Sequence, residues 1–129
     1  MEKILLDTNF LLLPYQFKVD IFTQIDRIML DYKLFVLDKT IDELKSILLQ
    51  QKGKDKDAAK IALKLVSLKN IGILKTDSNK KTDEIIAEVS FKEGFVVATQ
   101  DKELRQRLRE KNIPVIILRK KKVVRFLNC

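Results

Sequence analysis

At 129 residues the chain is sized for one domain, 1–129, and can bury roughly two-thirds of the surface its unfolded form exposes. With 26 Lys and Arg against 18 Asp and Glu, the formal charge is +8, which favours a polyanionic partner such as nucleic acid. There is no histidine, so His-based acid–base catalysis, triads with a His base and His–metal sites are excluded. Any hydrolysis has to run on carboxylates, metal ions, lysine or hydroxyls. The hydrophobic fraction of 46% provides for an ordinary core, and no apolar run approaches the ~20 residues of a membrane span. The start of the chain lacks the basic-then-apolar layout of a signal peptide, so a cytoplasmic protein is expected. The one cysteine, Cys129, excludes disulfides and cysteine metal clusters within one chain.

The first predicted element is a short apolar run, Ile4 to Leu6, that ends abruptly in Asp7. Continuous apolar runs mark parallel strands buried on both faces. Pro14 interrupts the apolar run Phe10 to Leu13. Phe22, Ile25, Ile28 and Met29 then recur at helical spacing and predict a helix over about 19–31. Leu34 to Leu37 is a second strand, ending in Asp38. Thr40 opens the next helix, with Ile41, Leu44, Ile47 and Leu48 as its stripe. Residues 50–56 are polar, include Gly53 and read as an exposed loop. Ala58, Ile61, Ala62, Leu65 and Leu68 share a face of a third helix, and Gly72 precedes a third strand, Ile73 to Lys75.

The cluster Asp77-Ser78-Asn79 is a turn or a helix start. Ile85, Ile86 and Val89 mark a fourth helix ending near Gly94. Phe95 to Thr99 is a fourth strand, 101–111 a fifth helix, and Pro114 to Leu118 a fifth strand. Val123 to Phe126 is a terminal strand or a docked tail, interface or core. Strands alternating with helices predict an α/β fold with a parallel sheet of about five strands and helices on both faces.

Four of these runs end at an aspartate: Asp7, Asp38, Asp77 and Asp101. Ligand sites in open α/β sheets collect just past the carboxyl ends of the strands, so the fold would aim such acids at one pocket. Asp7 lies between apolar runs, where a carboxylate needs a cation or several hydrogen bonds. Glu43 also fits a capping box with Thr40 as N-cap, which would make it structural. Asp83 is favoured near a helix start by the macrodipole, although Ala87 and Ser90 on its side suggest that it faces the sheet. Asp101 equally suits the N-cap of its helix. Spacing does not rank Asp38, Asp42 and Asp77 below Asp83. The lysine runs at 52–56 and 119–122 read as solvated faces, and Arg105, Arg107 and Arg109 lie on more than one side of their helix.

Together the segments Leu5-Leu6-Asp7-Thr8-Asn9, Thr40-Ile41-Asp42-Glu43-Leu44, Asp83-Glu84-Ile85-Ile86-Ala87 and Ala98-Thr99-Gln100-Asp101-Lys102-Glu103-Leu104 resemble the PIN (PilT N-terminal) domain metal-dependent nucleases, over essentially the whole chain. The continuation through Arg105 to Arg109 and Pro114-Val115-Ile116 looks most like the archaeal and eukaryotic branch linked to ribosomal RNA processing. The toxins of toxin–antitoxin pairs are the other similar branch. The resemblance implies a three-layer α/β/α sandwich with Asp7, Glu43, Asp83 and Asp101 as an acidic quartet binding Mg²⁺ or Mn²⁺. It also implies that Thr99 orients Asp7 and that Asn9 supports the site. The implied activity is endoribonuclease cleavage leaving 5′-phosphate and 3′-hydroxyl ends, with Lys52, Lys54 and Arg105 among the residues holding RNA. Some relatives carry a further aspartate where this chain has Glu103.

Other readings exist. An Asp-x-Asp phosphatase needs a second aspartate where Asn9 stands, and a phospho-receiver domain carries its acceptor deeper in the chain. A catalytically silent RNA-binding scaffold is the rival from a different class. Family members often pair, so a homodimer, an assembly partner or an antitoxin is the further partner implied.

Overall fold

Strand β1, Glu2–Leu6, sends Ile4 and Leu6 into one apolar cluster and Leu5 into another, as the two-residue period of a strand requires. The computed structural model describes residues 1–127, so Cys129 lies outside the described residues. The chain continues through the short helices α1, Thr8–Leu11, and α2, Leu13–Phe17. Pro14 divides the apolar run into these two helices and sits in the first turn of α2, where its missing N–H is no loss. Helix α3 spans Ile21–Ile28, shorter than the predicted 19–31. The Asp20 carboxylate caps it by accepting from Phe22 and Thr23 N–H, both at 3.1 Å, and Met29 is already extended.

Strand β2 is Tyr32–Leu37, helix α4 Asp38–Gln50 and helix α5 Lys54–Leu68. The expected capping box at Thr40 is not formed. The helix begins two residues earlier, placing Thr40 fully buried in the first turn, where its hydroxyl accepts from Thr8 Oγ1 at 3.3 Å. Strand β3, Gly72–Leu74, is followed by helix α6, Thr82–Glu93, which Gly94 ends in the left-handed conformation (φ 73°). Strand β4, Val96–Ala98, leads to helix α7, Lys102–Glu110, and strand β5, Val115–Arg119. Strand β6, Val123–Phe126, settles the tail as a strand with Val124 buried and Val123 exposed. Lys120 and Lys121 both have positive φ, and Lys122 N–H returns to the Arg119 carbonyl at 3.0 Å. The three-residue hairpin loop 120–122 thus puts lysines at left-handed positions where Asn or Gly is usual.

The sheet has six strands in the order β3-β2-β1-β4-β5-β6, all parallel except β6. One face carries Ile4, Leu6, Val36, Ala98 and Ile116 against Phe10, Leu11, Ile25, Leu44 and Ala62 of α1, α3, α4 and α5. The other carries Leu5, Leu37, Val97 and Val115 against Ile86 of α6 and Leu104 and Leu108 of α7. The result is the expected α/β/α sandwich with one antiparallel edge strand added. The chain winds outward from β1 in one direction and from β4 in the other, so a crevice opens where these neighbours end. No helix among the described residues is long and apolar enough to cross a membrane.

Candidate active site

Asp7 and Thr99 are the first residues past the two strands that flank the crevice, where Leu6 pairs with Ala98. The Asp7 N–H extends that pairing by donating to the Ala98 carbonyl at 2.9 Å. The Asp7 side chain is only 9% exposed. Its Oδ1 accepts from Thr8 N–H at 2.8 Å, and its Oδ2 accepts from the fully buried Thr99 hydroxyl at 2.7 Å. The Thr99 oxygen accepts in turn from Asp101 N–H at 3.1 Å. One hydroxyl therefore connects the first acid to the loop that carries the last.

Asp101 is exposed and caps α7 by accepting from Leu104 N–H at 3.1 Å. Asn9 holds the same loop, its Oδ1 accepting from Gln100 N–H at 3.1 Å. Asp83 is half-buried in the first turn of α6, and Glu43 lies at the rim on α4, one turn beyond Thr40.

Burial pushes the Asp7 carboxyl above its ordinary range. The Thr99 and Thr8 hydrogen bonds oppose that rise, and the charges of Asp101 and Asp83 add to it. Glu43, although exposed, is also pushed up, first by desolvation and then by the Asp7 charge, while the hydroxyls of Thr82 and Thr8 counter it. Asp101, Asp83 and Glu43 thus each lie within electrostatic reach of Asp7. Carboxylate oxygens suit a hard divalent cation, and such an ion would relieve the mutual repulsion. Among the described residues, no three acidic side chains already stand at the spacing that grips a metal.

Of the competing acids, Asp38 has hydrogen-bond partners of its own. Asp38 accepts from Thr76 N–H at 3.0 Å, from the Thr76 hydroxyl at 2.8 Å and from Lys39 N–H at 2.8 Å, tying β2 to the segment after β3. The backbone N–H of Thr76 is the main cause of its lowered pKa. Asp42 and Asp77 are exposed, as is Glu103. Lys52 and Lys54 lie past the far end of α4. Gln50 is seven residues beyond Glu43, roughly 10 Å along the axis, so these lysines do not join the acids. Arg105 is half-buried on α7.

Sequence reasoning missed Gln100. Its side chain spans the backbone of Leu118, Oε1 accepting from the N–H at 2.7 Å and Nε2 donating to the carbonyl at 3.1 Å. The amide thus prolongs the β4–β5 pairing and anchors the Thr99–Asp101 loop from the side opposite Asn9. Its only sequence signal is a bifunctional amide between two site residues. The Thr8–Thr40 hydroxyl pair was missed too, since it needs α1 and α4 side by side.

A family model described as a PIN like domain matches residues 4–121. The chain is 32% identical over 123 residues to Ribonuclease VapC4 of Methanocaldococcus jannaschii, covering 95% of this chain and 94% of that one. It is also 32% identical over 119 residues to Ribonuclease VapC9 of Archaeoglobus fulgidus, covering 92% and 84%. Among solved structures, the PIN domain endonuclease Utp24 superposes with a TM-score of 0.78 at 23% identity, over 98% of this chain and 92% of that one. A domain of a functionally unknown protein from Methanocaldococcus jannaschii gives a TM-score of 0.63 at 15% identity, over 92% and 91%.

Proposed function

The chain belongs to the PIN-like domain family, and from that premise we propose that it is a metal-dependent endoribonuclease acting in the cytoplasm. The observation that carries this reading is the nearly buried Asp7, held by the Thr99 hydroxyl, with its pKa raised first by burial and then by the charges of Asp101 and Asp83. Two relatives named ribonucleases, alike over almost the whole chain, support the substrate class.

Asp7 and Asp101 would hold Mg²⁺ or Mn²⁺, with Glu43 and Asp83 completing the set. When bound, such an ion supplies charge neutralisation and lowers the pKa of water for attack at phosphorus. The chain's own residues do the positioning. Thr99 and the Thr8 N–H fix both oxygens of Asp7, so the carboxylate is held in one orientation. Asn9 and Gln100 hold the loop that presents Asp101. The products would carry 5′-phosphate and 3′-hydroxyl ends.

Of the two cellular roles, the toxin of a toxin–antitoxin pair is favoured over ribosomal RNA processing. Both relatives at 32% identity carry the VapC name, whereas the likeness to Utp24 is one of fold. Growth arrest on expression, relieved by a neighbouring gene, separates the roles. The activity itself is tested by incubating the purified protein with end-labelled RNA in Mg²⁺, Mn²⁺ or EDTA and analysing the product ends. Cutting that EDTA abolishes supports the reading. RNA binding without cutting under any condition would favour the silent scaffold.

A further inference from the structure

We propose that an RNA strand leaving the acidic site runs down the outer face of α7, with its phosphates on Lys102, Arg105 and Arg109. This inference rests on the ribonuclease reading and adds the substrate's path. Lys102, Arg105, Gln106 and Arg109 are spaced at i, i+3, i+4 and i+7, so they share one side of the helix. They line a single open groove of about 740 Å³, joined at its lower end by Glu110, Asn112 and Leu127.

The opposite side of α7, through Leu104 and Leu108, is buried against the sheet, which fixes the rotation of the helix. Arg107 is exposed but lies outside the groove. None of the three groove cations forms an ion pair among the described residues, so their charge is free for a ligand.

Continuity selects the occupant. The groove starts at Lys102, next to Asp101, and therefore opens on the rim of the acid cluster. Any polyanion in the groove meets Asp101, Asp7 and Asp83 at its upper end, and RNA is the one that the proposed cleavage itself brings to those acids. An RNA strand whose scissile phosphate sits at the site needs positive charge along this line. Gln106 and Asn112 add donors and acceptors suited to ribose and phosphate oxygens. Glu110 ends the basic stretch, so contact is limited to the upper part of the groove.

The test uses a short fluorescein-labelled oligouridine and the full chain in EDTA, with binding read by anisotropy across a salt series. Beside the wild type stand an Arg105→Gln/Arg109→Gln variant and an Arg107→Gln control, all checked for an unchanged melting curve. Each lost phosphate contact should lower the slope of log K against log salt by roughly 0.7 for a single strand, so about 1.4 for the double variant. The Arg107→Gln control should keep the wild-type slope. Equal slopes in all three would overturn the path while leaving a cleaving wild type a ribonuclease. A wild type that neither binds nor cuts RNA would remove both. Polyglutamate binding as tightly as RNA, with the same dependence on Arg105 and Arg109, would make the groove a protein site and overturn the proposal.

Discussion

The Thr99 hydroxyl donates to Asp7 Oδ2 at 2.7 Å across 92 residues of chain and accepts from Asp101 N–H at 3.1 Å. A hydroxyl has one hydrogen, and the bond to Asp7 uses it. The 3.5 Å approach to Asn9 Oδ1 is therefore a contact of little weight. Thr99→Val keeps the shape and removes both functions. Activity should fall roughly 10- to 100-fold, as when a carboxylate loses the partner that orients it, and Thr99→Ser should recover much of it. Steady-state cleavage by the two variants checks this; a fully active valine variant would count against Thr99 as the orienting group.

The ionised Asp7 carboxylate should lower the stability of the metal-free protein at neutral pH. Its pKa is raised on folding, so the folded state holds the proton more tightly than the unfolded state does. The stabilising contribution is present below the ordinary value of 3.8 and is lost as pH rises through the raised pKa. Glu43 has the same sign. Asp7→Asn should therefore melt higher than wild type in EDTA at neutral pH, with the gap closing toward acid. Added Mg²⁺ should raise the wild-type melting temperature more than that of the variant. Thermal melts over a pH series decide the matter, and a variant that melts lower at neutral pH contradicts the assignment.

Gln100→Leu removes the two bonds to the Leu118 backbone. Leaving those partly buried groups unpaired costs about 1–3 kcal/mol. Because the same loop presents Thr99 and Asp101, kcat should fall while KM changes little. A change confined to KM would place Gln100 at the substrate instead.

Gly72→Ala probes the fold apart from the site. A Cβ there would stand 2.7 Å and 2.9 Å from the Phe35 ring, which would have to shift from its edge-on packing against Phe95. The overpacking should cost about 1–3 kcal/mol in a denaturant titration, with cleavage intact below the melting transition.

Much of this was legible in the residues themselves. β1, β2, β4 and β5 are buried on both faces and so read as plain apolar runs, and Asp7 and Asp101 stand where those runs stop. The rest depends on neighbours distant in sequence. Asp38 starts α4 with its carboxylate accepting from Thr76 and from the Lys39 N–H, and Thr40 is then a core residue and not a cap. Lys120 and Lys121 form a hairpin turn, a place where sequence signals point to Asn or Gly, so their charge read as a solvated run. Gln100 gains its role only once β4 and β5 lie side by side. Among the acids, Asp38 looked equal to Asp83 until packing gave it hydrogen bonds of its own to Thr76.

The most direct measurement is metal-dependent cleavage of one labelled RNA by the wild type and by an Asp7→Asn/Asp101→Asn variant shown by its melting curve to be folded. The acidic site described here predicts cutting by the wild type in Mg²⁺ or Mn²⁺, none in EDTA, and a loss of activity to background in the variant. Equal cutting by both proteins would contradict it.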